Sequence, residues 1–216
     1  MIITIDGPAG SGKSTAAKMF AEKIKFTHFN AGNLYRAITA HLYNLKFDIE
    51  NINLNSEIPN LTLKVELVNG TQQVLVNNIN YTSVVRENHI STLVPKVSIN
   101  KKVQETTQAY LKEFCNSHNV VIEGRGIGSS VLPNAELKFY LDCSIEERAN
   151  RRFNEEKLKN NNISLEEIKQ QIKERDELDK NRKVAPLVVP KNAVYLDTTK
   201  LSAVEVVEEM LKHFNK

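Results

Sequence analysis

Residues 7–14 read Gly-Pro-Ala-Gly-Ser-Gly-Lys-Ser, which satisfies Gly-x-x-x-x-Gly-Lys-Ser/Thr at every fixed position. The chemistry of that spacing is phosphate binding. Gly7, Pro8, Ala9, Gly10, Ser11 and Gly12 form a loop whose backbone N–H groups can turn inward around an anion. The helix that follows adds partial positive charge at its start, through Thr15 and the residues beside it. Lys13 is placed to reach the β- and γ-phosphates of a nucleotide, and the Ser14 hydroxyl to hold Mg²⁺. At ordinary glycine usage, chance supplies on the order of 0.01 such matches in a chain this long, so the loop reads as a real site.

A second set of groups lies further on. Val120-Val121-Ile122-Glu123 is a buried-looking strand ending in an acid, a position from which Glu123 can serve the metal or simply end a strand. Gly124-Arg125-Gly126 follows, and Arg125 sits where the strand ends of open α/β sheets bind ligands. Ile168 and Ile172 mark an inward helical stripe that continues, at 100° per residue, into Arg175, Asp179 and Arg182. Charges on the continuation of an apolar face either pair with each other or face a polar ligand. Arg148, Arg151 and Arg152 share a helix face at i, i+3 and i+4, as a solvated basic face or as arginines over donor phosphates. Arg36 lies opposite Leu34, Ile38 and Leu42, where a solvated face is an equal reading.

These groups need a frame to hold them. Five short apolar runs, residues 2–5, 26–29, 120–122, 137–141 and 193–196, alternate with helical patterns, which predicts a parallel sheet covered on both faces. Ala17, Phe20, Ala21 and Ile24 give the first helix its apolar stripe; Val207, Met210, Leu211 and Phe214 give the last one its own. Ser144…Glu147, Ser164…Glu167 and Ser202…Glu205 read as capping boxes. Residues 61–68 and 71–76 flank Asn69-Gly70, the strongest short hairpin signal, so an antiparallel hairpin is inserted at about residues 57–97. Asn160-Asn161-Asn162 reads as a loop tip between two capped helices.

The 216 residues suit one domain carrying a subdomain. A net charge of +3 is too small and dispersed to argue for nucleic acid. No apolar stretch approaches the ~18 residues of a membrane span, and the first residues lack a signal-peptide pattern. Cys115 and Cys143 fit no metal or redox spacing and are expected to be reduced thiols in the cytoplasm.

Taken together, the chain resembles bacterial-type cytidylate (CMP) kinases along essentially its whole length. The matching stretches are residues 3–8 with the loop after them, Gly32-Asn33-Leu34-Tyr35-Arg36, Glu123-Gly124-Arg125, residues 134–138, residues 146–149, Arg175-Asp176, Asp179 and residues 181–187. The resemblance implies an α/β, P-loop NTPase-type fold in one domain over 1–216: a five-stranded parallel sheet, a nucleoside-monophosphate-binding insert at 57–97, and a short lid with the acceptor-side helix at 148–180. It implies that CMP or dCMP is phosphorylated from ATP with Mg²⁺; direct in-line transfer in a monomer is expected, and charge and hydropathy give no nucleic-acid or membrane partner. Lys13, Arg125, Arg152 and Arg182 would then be the catalytic cations, and Ser14 and Glu123 the metal side. Tyr35 is expected at the acceptor, Arg36, Arg125 and Arg182 on its phosphate, and Arg175 and Asp179 on its sugar. Three departures concern base recognition. Gly126 stands where the family has Asp, and a Ser and an Arg that read cytosine fall, counting on from Arg86, on Pro95 and Gln104. Asn30-Ala31-Gly32 replaces Asp-Ser/Thr-Gly. A small P-loop kinase for another acceptor such as UMP, and a nucleotide-binding module without turnover, are the rivals. A GTPase is disfavoured because no Asn-Lys-x-Asp motif occurs.

Overall fold

The computed structural model describes residues 1–52, 58–68, 71–85, 87–158, 163–182 and 184–215. Among them the strands form two sheets. The larger takes β1 (Ile2–Asp6), β2 (Thr27–Asn30), β6 (Val120–Gly124), β7 (Leu137–Asp142) and β8 (Val194–Asp197) in the order β2-β6-β1-β7-β8, every pair parallel. All five predicted strands are present.

Period-two alternation divides the core between the two faces of this sheet. Val121, with Ile3, Ile5, Phe139 and Leu141, packs beneath α1 (Lys13–Ile24) and α7 (Ala203–Phe214), where Phe20 meets Phe139 edge-on at 5.7 Å. Val120 and Ile122 point the other way, into a cluster with α2 (Ala31–Asn44) and α4 (Lys101–Asn116) that includes Phe29, Leu34, Ile38 and Leu111. Both functional ends of β1 and β6 therefore emerge from a core buried on two sides.

The insert holds more than a hairpin. β3 (Leu63–Val68) and β4 (Thr71–Val76) pair antiparallel with Val68 opposite Thr71, as the sequence predicts, and a third strand, β5 (Ile79–Asn80), joins β4. The Asn69-Gly70 turn lies outside the described residues, as do the Asn160–Asn162 tip, Arg86 and Lys183. Gln72 of β4 fastens this sheet to the main one: its Oε1 accepts the Asn30 amide at 2.9 Å and its Nε2 donates to the Asn30 carbonyl. The helix α3 (Asn88–Ser98) returns the chain to α4.

α5 (Ile145–Leu158) and α6 (Leu165–Lys180) pack on each other around Ala149, Ile168 and Ile172, a small core of their own. Two of the three predicted capping boxes form in full, at Ser164/Glu167 and Ser202/Glu205. The third is half made. The Ser144 hydroxyl accepts the Glu147 amide, but Glu147 turns its carboxylate to Arg151, and the Ser144 amide donates to Thr199 instead. Both cysteines are free and buried. No helix among the described residues is long and apolar enough to cross a membrane.

Candidate active site

The phosphate loop runs from the end of β1 into α1. Gly10 and Gly12 take φ of 79° and 81°, a left-handed backbone that side chains rarely adopt, and this turns the loop around an open centre. Lys13 is only 8 % exposed and donates from Nζ to the Pro8 carbonyl at 2.7 Å. Burial and the Arg125 charge push its ammonium down to about 7, against the pull of Glu123, Asp179 and Asp6. A cavity of about 690 Å³ extends from the loop to Arg151 and Arg152 on α5, to Thr198 and Leu201 ahead of α7, and to Val206 on it. That volume suits a nucleotide-sized ligand.

Beside the loop, Ser14 Oγ donates to Glu123 Oε2 at 2.6 Å, and Asn30 Nδ2 donates to Oε1 at 2.8 Å. His28 Nε2 stands 3.3 Å from the same Oε1. Burial alone would raise the Glu123 carboxyl, but His28, Lys13 and Ser14 outweigh it and hold it below its usual range. A hydroxyl and an ionised carboxylate are hard oxygen donors that suit Mg²⁺. No group of three or more metal-ligating side chains occurs among the described residues, so a cation here must complete its shell with phosphate oxygens and water.

Across the sheet ends, three arginines surround one carboxylate. Asp179 is 3 % exposed. Arg175 Nε donates to its Oδ2 at 3.1 Å, Arg125 Nε lies 2.7 Å from the same oxygen, and Arg182 Nη1 stands 3.8 Å from Oδ1. Burial would raise Asp179, yet the three guanidinium groups hold its carboxyl below the ordinary range. The Arg125 N–H is not aimed at Asp179, so the Nε atoms of Arg125 and Arg182 are both buried donors without an acceptor. Arg182 Nη2 is satisfied by the carbonyls of Arg125 and Ala185. Three cations on one anion, with donors to spare, make a site for another anion. Tyr35 reaches toward Arg182 and Thr107, and burial raises its phenol. Arg36, partly buried, folds its guanidinium back over Gly32, where a Cβ would lie 2.9 Å from Nη1.

Several sequence expectations change here. Arg182 is not on the helical stripe: α6 ends at Lys180, and Arg182 reaches the cluster from the loop beyond. The charged stripe does not divide into pair or ligand site, since Arg175–Asp179 is a pair inside a larger buried cluster. Arg148 is neither a solvated basic residue nor a lid group. It is 3 % exposed, donates to the carbonyls of Cys143 and Ala9, and forms an ion pair with Asp176 at 2.7 Å. Arg151 is committed to Glu147 and the Thr198 carbonyl, which leaves the exposed Arg152 at the cavity rim. Gly126 takes φ 74°, and a Cβ there would lie 2.6 Å from the Ala185 carbonyl oxygen. In this chain an Asp at 126 would not fit. Pro95 sits within α3, and buried Gln104 donates from Nε2 to the Ser98 carbonyl at 2.7 Å. Gln104 and Arg182 line a second cavity, of about 940 Å³. Asp6 has no role in the sequence reading, and the buried role of Arg148 is not legible there. Their signal, a charge in a strand and a charge at a helix start, has meaning only once its distant partners are known.

A profile of the cytidylate kinase family matches residues 3–216. The chain belongs to the cytidylate kinase family. It is 40% identical over 216 residues to a cytidylate kinase of Caldanaerobacter subterraneus subsp. tengcongensis, covering 99% of this chain and 94% of that one. It is 36% identical to a cytidylate kinase of Fusobacterium nucleatum subsp. nucleatum, covering 100% and 98%. Membership makes the chain an enzyme of the kinase class, a nucleotide-binding transferase. Among solved structures, shikimate kinase from Bacteroides thetaiotaomicron superposes with a TM-score of 0.50 at 14% identity over 100% of this chain and 99% of that one, a likeness of fold.

Proposed function

We propose that this cytidylate kinase family member phosphorylates CMP, and dCMP, from ATP with Mg²⁺ by direct in-line transfer, as a cytosolic monomer. The carrying observation is two anion-binding groups at the ends of paired strands: the phosphate loop follows β1, and Arg125 of the arginine cluster follows β6, with Asp6 and Gly124 opposite each other. The relatives' shared name supports a cytidylate acceptor.

On this reading the loop amides and Lys13 hold the donor's β- and γ-phosphates, with Arg152 at the rim of the same cavity. Arg36, Arg125 and Arg182 hold the acceptor phosphate, and Arg175 and Asp179 its sugar, with Tyr35 alongside. Ser14 and Glu123 would hold the Mg²⁺, whose chemistry when bound would be neutralisation of charge on the donor phosphates. One acceptor phosphate oxygen forms the new P–O bond as the bond to the departing ADP oxygen breaks. No covalent enzyme intermediate is required, because alignment and preorganised charge lower the barrier. The insert at 57–97 closes on the acceptor, and the lid segment within 148–180 closes on the donor and excludes water. A coupled ADP-release assay with ATP against CMP, dCMP, UMP and AMP tests the reading. Turnover with no monophosphate acceptor would refute it.

A further inference from the structure

The scheme above leaves one fully buried carboxylate without a task. Asp6 closes β1, immediately ahead of the phosphate loop, and has no exposed surface. Its Oδ1 accepts the Ile127 amide at 2.8 Å and its Oδ2 the Gly128 amide at 2.7 Å. These two amides open a π-helical turn, Ile127–Val131, so the carboxylate sits at the positive end of that turn.

The loop gripped in this way carries Arg125. It has little freedom to settle elsewhere. A Cβ at position 128 would lie 2.5 Å from Thr4 Oγ1 and 3.1 Å from Asp6 Oδ2, and Gly126 is already against the Ala185 and Pro186 backbone. The Arg125 carbonyl receives Arg182 Nη2, and Arg125 Nε lies against Asp179. Asp6 is thus joined by one short run of chain to the donor loop and, through the Ile127 and Gly128 amides, to the loop that carries Arg125 of the acceptor cluster.

We propose that Asp6 is a positioning residue that fixes the separation between the phosphate loop and the acceptor arginines through its two bonds to the Ile127 and Gly128 amides. It touches no substrate itself. The proposal rests on the phosphoryl transfer proposed above. An uncharged Asn at this position presents an NH₂ to one of the two amides, so one grip becomes a repulsion.

The test is steady-state kinetics with ATP and CMP varied separately, in wild type and Asp6→Asn, with urea unfolding to show that the variant is folded. Wild type that transfers no phosphoryl group to CMP refutes the functional reading, before Asp6 enters. Given wild-type turnover, the expected Asp6→Asn result is a split. KM for CMP rises about tenfold and kcat falls by about a hundredfold, as for a displacement of about 1 Å, while KM for ATP stays within about threefold. Unchanged constants, or equal rises in both KM values, overturn the proposal. Should Asp6→Asn fail to fold, Gly128→Ala moves the amide without altering charge. It should show the same split, and Thr4→Ala added to it should recover part of the CMP KM by making room for the new methyl group. Loss on both substrates alike, or no recovery in the double variant, overturns the proposal as well.

Discussion

Lys13 gives the protein a measurable dependence of stability on pH. A lysine ordinarily titrates at 10.5, whereas in the fold without nucleotide Lys13 is pushed down to about 7, chiefly by burial and then by Arg125. Between those values the unfolded chain binds the proton and the folded protein does not, so stability rises with pH. The unfavourable contribution is complete below pH 7 and is relieved as pH climbs toward 10.5. At about 1.4 kcal/mol per unit, it amounts to about 4 kcal/mol at pH 7 and about 2 kcal/mol at pH 9. Lys13→Met lacks it at every pH. The variant's stability relative to wild type should therefore fall by about 2 kcal/mol between pH 7 and pH 9. The bond from Nζ to the Pro8 carbonyl is lost at all pH values and cancels from that difference. Urea unfolding of both proteins at pH 7, 8 and 9, without nucleotide, reads it directly. A gap that stays flat across the range would refute the reasoning. The same variant should lose about a hundredfold or more in kcat, since it removes charge aimed at the transferring group.

Asp179→Asn should raise the CMP KM and lower stability by about 3–5 kcal/mol, because three guanidinium groups lose their buried counter-charge; added sulfate should restore part of the stability, and unchanged unfolding would show that Asp179 is not needed to balance them. Arg148→Met should cost a similar about 3–5 kcal/mol by stranding Asp176 and freeing the Ala9 carbonyl, with KM for ATP rising more than KM for CMP. Base discrimination should be modest. Gln104 has its Nε2 committed to Ser98, and Gly126 has no room for a side chain, so UMP should reach a kcat/KM within about a hundredfold of CMP's, the scale of shape-based selection. A CMP preference above about ten-thousandfold would show a fully hydrogen-bonded base site.

What could be read from sequence followed from how local its physics is. Strand alternation and the glycine spacing of the phosphate loop are set by neighbours within ten residues, and both are present in the fold. Helical arithmetic worked for Ile168, Ile172, Arg175 and Asp179 and then overran: it has no term for where a helix stops, so Arg182 was placed on a helix that ends at Lys180. The spacing of Arg148, Arg151 and Arg152 gave a common face but not its depth. What takes Arg148 inside is Asp176, 28 positions on, together with the Ala9 carbonyl 139 positions back. The short strand β5 adds only two residues to the insert, too few to form a pattern. Asp6 belongs to the same class, since its partners lie more than 120 residues away.

The buried pair Arg148–Asp176 has a mechanical meaning. It joins the start of α5 to the end of α6 and, through Ala9, to the phosphate loop, while the two helices beyond it share their own small core. If the two helices turn together about this pair, distances along α6 set how far each part travels. From Asp176 out to Leu165 is about 16 Å at 1.5 Å per residue, so a turn of about 20° carries the tip about 6 Å. Asp179, three residues to the other side, moves only about 1.5 Å in the same turn. Under such a turn the far end of α6 travels about four times as far as Asp179, so Arg175 and Asp179 keep their places while the tip moves.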